Sequence, residues 1–243
     1  GFGQLAGIRL RKYLKEYGRA YEIRYSGAYD DKGELLPDFN FTIRTLERTE
    51  PGVKYPEHDD LVLQAARESM VLLKNENSAL PLRRGSTVNV FGAGAVVFRL
   101  GCLGAGKINP RYGIGVREGI VKYSSLELNT ELYDYYTGET NALPPEDMIL
   151  RAREKADIAV IFITRASTEA RDVRPLPGGY YLTDEEKNLI RTVAGRFYKV
   201  VIVINTGYPI ETRWIEEESV DAVLYAGLPG MAGGRALAEI LEG

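Results

Sequence analysis

Residues 158–164 and 200–205 are apolar at every position except the last, and most of those positions are Val or Ile. Strands covered on both faces read this way, and such burial is characteristic of parallel sheets. Shorter runs at Thr87–Phe91 and at 220–225 share the character. Stretches with helical spacing separate them. One follows Pro144-Pro145 and turns Met148, Ile149 and Ala152 inward; proline suits the first turn of a helix. Another opens on Thr183 with Glu186 three residues later, the pattern of a capping box, and carries Leu189, Ile190, Val193, Ala194 and Phe197. A third spans about 231–241, with Ala236, Leu237, Ile240 and Leu241 on one side. Alternating strands and helices predict an α/β fold: a three-layer αβα sandwich with a mainly parallel sheet.

The pattern changes at Asp59. Two acids open a helix, which suits its positive end, and Val62, Ala65, Ala66, Ser69, Met70 and Leu73 form one stripe. Val71-Leu72-Leu73-Lys74-Asn75 follows, then a polar turn and Ala79-Leu80-Pro81-Leu82. Upstream, Leu5, Ile8, Leu10 and Leu14 suggest a short helix ending near Gly18. Two strands are expected at 22–25 and 39–45, around the turn-rich Asp30-Asp31-Lys32-Gly33, with a linker at 48–56. The predicted organisation is a small N-terminal appendage, residues 1–58, before a sandwich domain, residues 59–243.

Composition narrows the function. With 44% hydrophobic and 27% charged residues the chain has an ordinary globular make-up. A formal charge of −3 gives no basic field for nucleic acid or an anionic membrane. Arg9, Arg11, Lys12 and Lys15 cluster at helical spacing, as a solvated face does. No run approaches the ~18 apolar residues of a membrane span. Cys102 is the only cysteine, so no disulfide can form within the chain and the compartment stays open. His58 is the only histidine, so no Cys/His metal cluster can assemble; neither a metal nor another cofactor is expected. His58 sits in Pro-Glu-His-Asp-Asp, which reads as a helix start and not as a general base. A beginning at Gly1, without initiator Met or secretory pattern, is expected of a piece of something larger.

In open α/β sheets ligands bind beyond the carboxyl ends of the strands, and three such ends can be named. After Phe91 come Gly92-Ala93-Gly94 and Gly101-Cys102-Leu103-Gly104-Ala105-Gly106-Lys107. The second holds the Gly-x-x-x-x-Gly-Lys frame of a phosphate-cradling loop. Ile108 stands where Ser or Thr should hold magnesium, and the frame lies well past the strand end. Binding of nucleotide or phosphate through Gly101 to Lys107 is thus an alternative function. After Thr164 a long connection, 165–182, carries Arg165, Glu169, Arg171, Asp172 and Arg174, where about 2–6 residues are usual. It reads either as a surface salt-bridge network of little worth or as a carboxylate held within reach of a partner domain. After Tyr225, Gly227, Gly230, Gly233 and Gly234 suit a tight turn and close helix packing.

Together these pieces resemble the sandwich domain of family 3 glycoside hydrolases. The matching stretches are Ala65-Ala66-Arg67-Glu68-Ser69-Met70-Val71-Leu72-Leu73-Lys74-Asn75-Glu76 with Ala79-Leu80-Pro81-Leu82, then Asp157-Ile158-Ala159-Val160. They continue with Val201-Ile202-Val203-Ile204-Asn205-Thr206-Gly207, Ala222-Val223-Leu224-Tyr225-Ala226-Gly227 and Gly233-Gly234-Arg235-Ala236-Leu237-Ala238. The resemblance covers about 59–243. It implies hydrolysis of β-linked glucosides and related sugars by a retaining route, with an Asp nucleophile on a (β/α)8 barrel domain and, in many members, a Glu acid/base on a sandwich loop. Arg165-Ala166-Ser167-Thr168-Glu169-Ala170-Arg171-Asp172 looks like that loop, which places the acid/base on Glu169 and makes Arg165 and Asp172 candidate substrate contacts. Thr168 departs from the family's Gly. Arg165 or Arg171 paired with Glu169 would oppose the raised pKa that an acid needs, so both are expected to point elsewhere, towards Asp172. The nucleophile's Ser-Asp-Trp setting is missing, since Trp214 is the only Trp and follows Arg213. The barrel's Lys-His pair is missing too. The barrel is therefore expected to lie outside this chain, and the chain alone to be inactive.

Overall fold

The computed structural model describes residues 21–26, 40–45, 56–104, 110–138, 141–168 and 171–243. The chain divides between Lys54 and Tyr55 into two compact units. In the first, β1 (Tyr21–Ser26) and β2 (Asn40–Thr45) pair antiparallel, with Tyr21 opposite Thr45. The helix expected around Leu5 to Leu14 falls outside the described residues.

The second unit runs α1 (Pro56–Ser69), β3 (Val71–Asn75), β4 (Thr87–Phe91), α2 (Val116–Tyr123), β5 (Glu127–Leu128), α3 (Thr130–Tyr135) and α4 (Glu146–Lys155). It continues with β6 (Ile158–Thr164), α5 (Asp184–Ala194), β7 (Lys199–Asn205), α6 (Trp214–Glu217), β8 (Ala222–Tyr225) and α7 (Gly233–Glu242). Its sheet has the order β3-β8-β7-β6-β4-β5. Every pairing is parallel except that of β3 with β8.

Alternation along the central strands explains their unbroken apolar sequence. Ile161, Ile163, Ile202 and Ile204 meet Leu132 of α3, Ile149 of α4 and Leu189, Ile190 and Val193 of α5 on one face. Val160, Phe162, Val201 and Val203 meet Ile120 of α2 and Leu237 and Leu241 of α7 on the other. Each such side chain contributes about 1.5–3 kcal/mol on full burial, so a polar residue on either face would be costly. This is the three-layer αβα sandwich with a mainly parallel sheet.

The structure corrects the reading at one boundary. The stripe from Val62 to Leu73 is not one helix: α1 stops at Ser69, whose hydroxyl donates back to the Ala66 carbonyl at 3.0 Å. Val71, Leu72 and Leu73 instead form the edge strand β3, each about half exposed. Helices α2, α3 and α6 and strand β5 went unpredicted, being 8, 6, 4 and 2 residues long. No helix among the described residues is long and apolar enough to cross a membrane.

Helices α2 and α7 cross backbone to backbone. A Cβ on Gly119 would strike the Gly234 carbonyl, and one on Gly234 would strike the carbonyls of Gly115 and Ile114. The Gly234 N–H also donates to the Ile114 carbonyl at 2.9 Å. Gly119→Ala and Gly234→Ala are each expected to destabilise the fold by about 1–3 kcal/mol through overpacking. Urea unfolding checks this, and unchanged midpoints would mean that the helices separate freely.

The topology fixes where a ligand can sit. The crossover after β4 runs through α2 on one face and leads outward to β5. The crossover after β6 runs through α5 on the opposite face and leads the other way, to β7. Connections that diverge like this open a crevice at the carboxyl ends of the two strands, here β4 and β6.

Candidate functional site

The crevice is built from the loops that leave β4 and β6. At the end of β4, Gly92 adopts φ 88°, and a Cβ there would lie 2.6 Å from the Phe162 carbonyl oxygen of β6. Only glycine lets the chain turn out while the two strand ends stay adjacent. The β4 loop then reaches across the crevice: the Leu103 N–H donates to the Ser167 carbonyl at 2.8 Å, and Leu103 bridges to Thr168. The two diverging loops are thereby joined one residue before position 169.

Asn205, at the end of β7 and fully buried, organises the rest of the rim. Its Oδ1 accepts from the Arg99 N–H at 2.7 Å and from the Thr164 hydroxyl at 3.2 Å. Its Nδ2 donates to the Arg99 carbonyl at 2.9 Å and to the Gly227 carbonyl at 2.7 Å. The Arg165 N–H donates to the Asn205 carbonyl at 3.1 Å. One side-chain amide thus ties the loops after β4 and β8 to the end of β6.

Arg165, the first residue beyond β6, is 6% exposed. Its Nη1 and Nη2 donate to the two carboxylate oxygens of Glu186 at 2.5 and 2.6 Å. Nη1 also donates to the Thr164 carbonyl at 3.0 Å, and Nε to the Gly179 carbonyl at 3.3 Å. Glu186 is 2% exposed and has a second task. It accepts from the Thr183 N–H at 2.9 Å while the Thr183 hydroxyl accepts from the Glu186 N–H at 3.2 Å, the capping box that starts α5. Further out, residues 174–181 fold on themselves: Leu176 and Tyr180 donate to the Arg174 carbonyl at 2.8 and 3.0 Å, and Gly178 donates to the Tyr181 carbonyl at 2.9 Å. The Glu211 N–H, in the loop after β7, donates to the Tyr180 carbonyl at 2.8 Å. The described parts of the long connection are thus held at its start by Arg165 and towards its end by residues 174–181.

Residues 70–243 match the model of the glycosyl hydrolase family 3 C-terminal domain. The chain belongs to glycosyl hydrolase family 3. Beta-glucosidase A of Butyrivibrio fibrisolvens is 30% identical over 225 residues, covering 77% of this chain and 27% of that protein. A beta-glucosidase of Ruminococcus albus is 32% identical over 207 residues, covering 77% and 22%. Among solved structures, beta-glucosidase 3B from Thermotoga neapolitana in complex with glucose superposes with a TM-score of 0.72 at 33% identity, over 77% of this chain and 29% of that one. The chain thus spans about a quarter of the length of these relatives.

Within this family 3 domain the predicted site residues separate. Glu169 lies outside the described residues, directly after Thr168 at the crevice. Asp172 and Arg171 are exposed, and among the described residues neither has an ion-pair partner. Among the described residues of this loop, Arg171, Asp172 and Arg174 form no ion pair with one another. Arg165 does pair, but with Glu186 in place of the expected Asp172. Four of its five N–H groups are taken up by the frame of the loop, so a sugar contact through Arg165 would have to use the one left over.

The elements that flank the Gly101 to Lys107 frame are not arranged as around a phosphate loop. Such a loop springs from a strand straight into a helix, so that N–H groups converge at the helix start. Here β4 ends at Phe91 and α2 begins only at Val116; Lys107 itself lies outside the described residues. His58 lies in the first turn of α1 and is exposed. Trp214 starts α6 and donates from Nε1 to the Glu211 carbonyl at 2.6 Å.

Two residues that organise the site were missed. Glu186 was read only as a cap, because its pairing spans 21 positions and leaves no local signature. Asn205 was legible only as a polar residue closing an otherwise apolar strand.

Proposed function

We propose that this chain supplies the general acid/base, Glu169, to a retaining β-glucosidase-type site, the nucleophile coming from a (β/α)8 barrel domain outside residues 1–243. The observation that carries this reading is the junction of the β4 and β6 loops at Leu103 and Thr168, the residue that precedes Glu169 in the chain. Residues 59–243 are taken as the catalytic sandwich and residues 1–58 as an appendage to it. The family match and the beta-glucosidase relatives support the reaction class.

In the first step the protonated Glu169 carboxyl donates its proton to the leaving glycosidic oxygen. The barrel carboxylate attacks the anomeric carbon from the other side, and the bond to the leaving group breaks. In the second step Glu169, now a carboxylate, takes a proton from water as that water displaces the enzyme carboxylate. The two carboxyl groups must stand ~5–5.5 Å apart, which needs a loop that does not wander. Asp172, exposed and without an ion-pair partner among the described residues, accepts a hydrogen bond from a sugar hydroxyl in this reading.

A sandwich without its barrel has one carboxylate where two are needed. The 243-residue chain alone is therefore expected to release no nitrophenol from an aryl β-glucoside above the uncatalysed background. Turnover by the isolated chain, abolished by inhibitors of β-glucosidases, would place a complete site within these residues and end the proposal.

A further inference from the structure

We infer that Glu186 and Arg165 are positioning residues for the acid/base carboxylate: their buried ion pair clamps the loop bearing Glu169 at its base and sets the reach of that side chain. The inference rests on Glu169 being the acid/base. Its own support is the distribution of the guanidinium's bonds. One group holds the outgoing limb through the Thr164 carbonyl, the returning limb through the Gly179 carbonyl, and the helix beneath through Glu186. The clamp is anchored in turn, because Glu186 is locked to Thr183 at the start of α5.

A buried ion pair is weak evidence of a stabilising role, since a well-packed apolar pair often serves as well. An apolar pair could not reproduce this one's geometry. The planar fork of Arg165 meets both oxygens of one carboxylate while its other N–H groups fix two backbone segments, which a lysine's point charge cannot do. Position 169 is four residues from Arg165 and one from the Leu103 bridge. A shift at the base therefore passes to the carboxyl with little chain to absorb it. Misplacement of a reacting group by ~1 Å can cost ~100-fold in rate.

In Glu186→Gln the glutamine still completes a capping box but can no longer hold the guanidinium by two charged bonds. The test compares two substrates in the enzyme complete with its barrel: an alkyl β-glucoside, whose leaving group needs protonation, and a dinitrophenyl β-glucoside, whose leaving group does not. Glu186→Gln is expected to lower kcat/KM on the alkyl glucoside by about 10- to 100-fold, with the dinitrophenyl substrate little affected. Arg165→Lys should move the ratio the same way and by less. Thr183→Ala loses the hydroxyl half of the cap but keeps the backbone N–H that holds the Glu186 carboxylate, so it should leave the ratio unchanged. The ratio is independent of how much enzyme is folded, so general destabilisation cannot imitate the effect. An unchanged ratio in both Glu186→Gln and Arg165→Lys overturns the inference. Glu169→Ala, run in the same series, tells the two failures apart. A steep ratio there beside a flat one for Glu186→Gln sinks only the positioning role, whereas a flat ratio for Glu169→Ala removes the acid/base and the clamp's purpose together.

Discussion

Glu169→Ala in the enzyme complete with its barrel is expected to slow hydrolysis of alkyl β-glucosides by about 10²–10⁴-fold, the range that a positioned general acid contributes. An alkoxide is a poor leaving group, so the bond cannot break at a useful rate until its oxygen is protonated. A dinitrophenolate leaves unaided, so with that substrate formation of the glycosyl-enzyme should remain fast. Its breakdown then lacks the base that activates water, and the intermediate accumulates. Azide, which needs no deprotonation, should restore turnover and give the β-glucosyl azide. Kinetic constants on both substrates, with and without azide, check the whole chain of reasoning. Equal losses on the two substrates, with no response to azide, would move the acid/base to another residue.

Arg165→Ala should have the largest effect on stability. It leaves the Glu186 carboxylate buried without its counter-charge, which costs about 3–5 kcal/mol in comparable sites. A domain's whole stability is only ~5–15 kcal/mol, so the variant approaches unfolding at room temperature. The double replacement Arg165→Met with Glu186→Leu removes both charges and should regain much of the loss. It still gives up the bond from the Thr183 N–H, at up to ~2 kcal/mol for a lost cap. Urea denaturation of the three proteins measures this directly. A loss below about 1 kcal/mol for Arg165→Ala would mean that water reaches the carboxylate and that the clamp is loose.

The sequence and the structure agree where burial dictates residue type and part where it does not. β6 and β7 are covered on both faces, so nearly every position must be apolar, and their runs could be read without coordinates. α5 declared itself through Thr183 and Glu186, because a capping box is a local interaction three residues long. The boundary before β3 was misjudged because Leu73 keeps the helical spacing of the stripe, and only the pairing of β3 with β8 settles the local conformation. α3 and β5 are too short to show a period. The same division runs through the site. The length and composition of residues 165–182 marked the loop, and the family resemblance assigned Glu169. The partner of Arg165 was beyond reach: Glu186 is 21 residues away, and Asp172 offered a nearer carboxylate.

Asn205 grips main chain, not side chains, at the two loops it holds. The identities of Arg99 and Gly227 are therefore immaterial to that grip, whereas the amide itself has no substitute. An aspartate in its place differs by a single atom, yet it would turn a second oxygen towards two carbonyls that now receive hydrogens. Two attractions would become two repulsions in a spot that water does not enter. Evolutionary drift at this corner of the molecule should accordingly be lopsided, with much latitude for the segments being held and almost none for the residue that holds them.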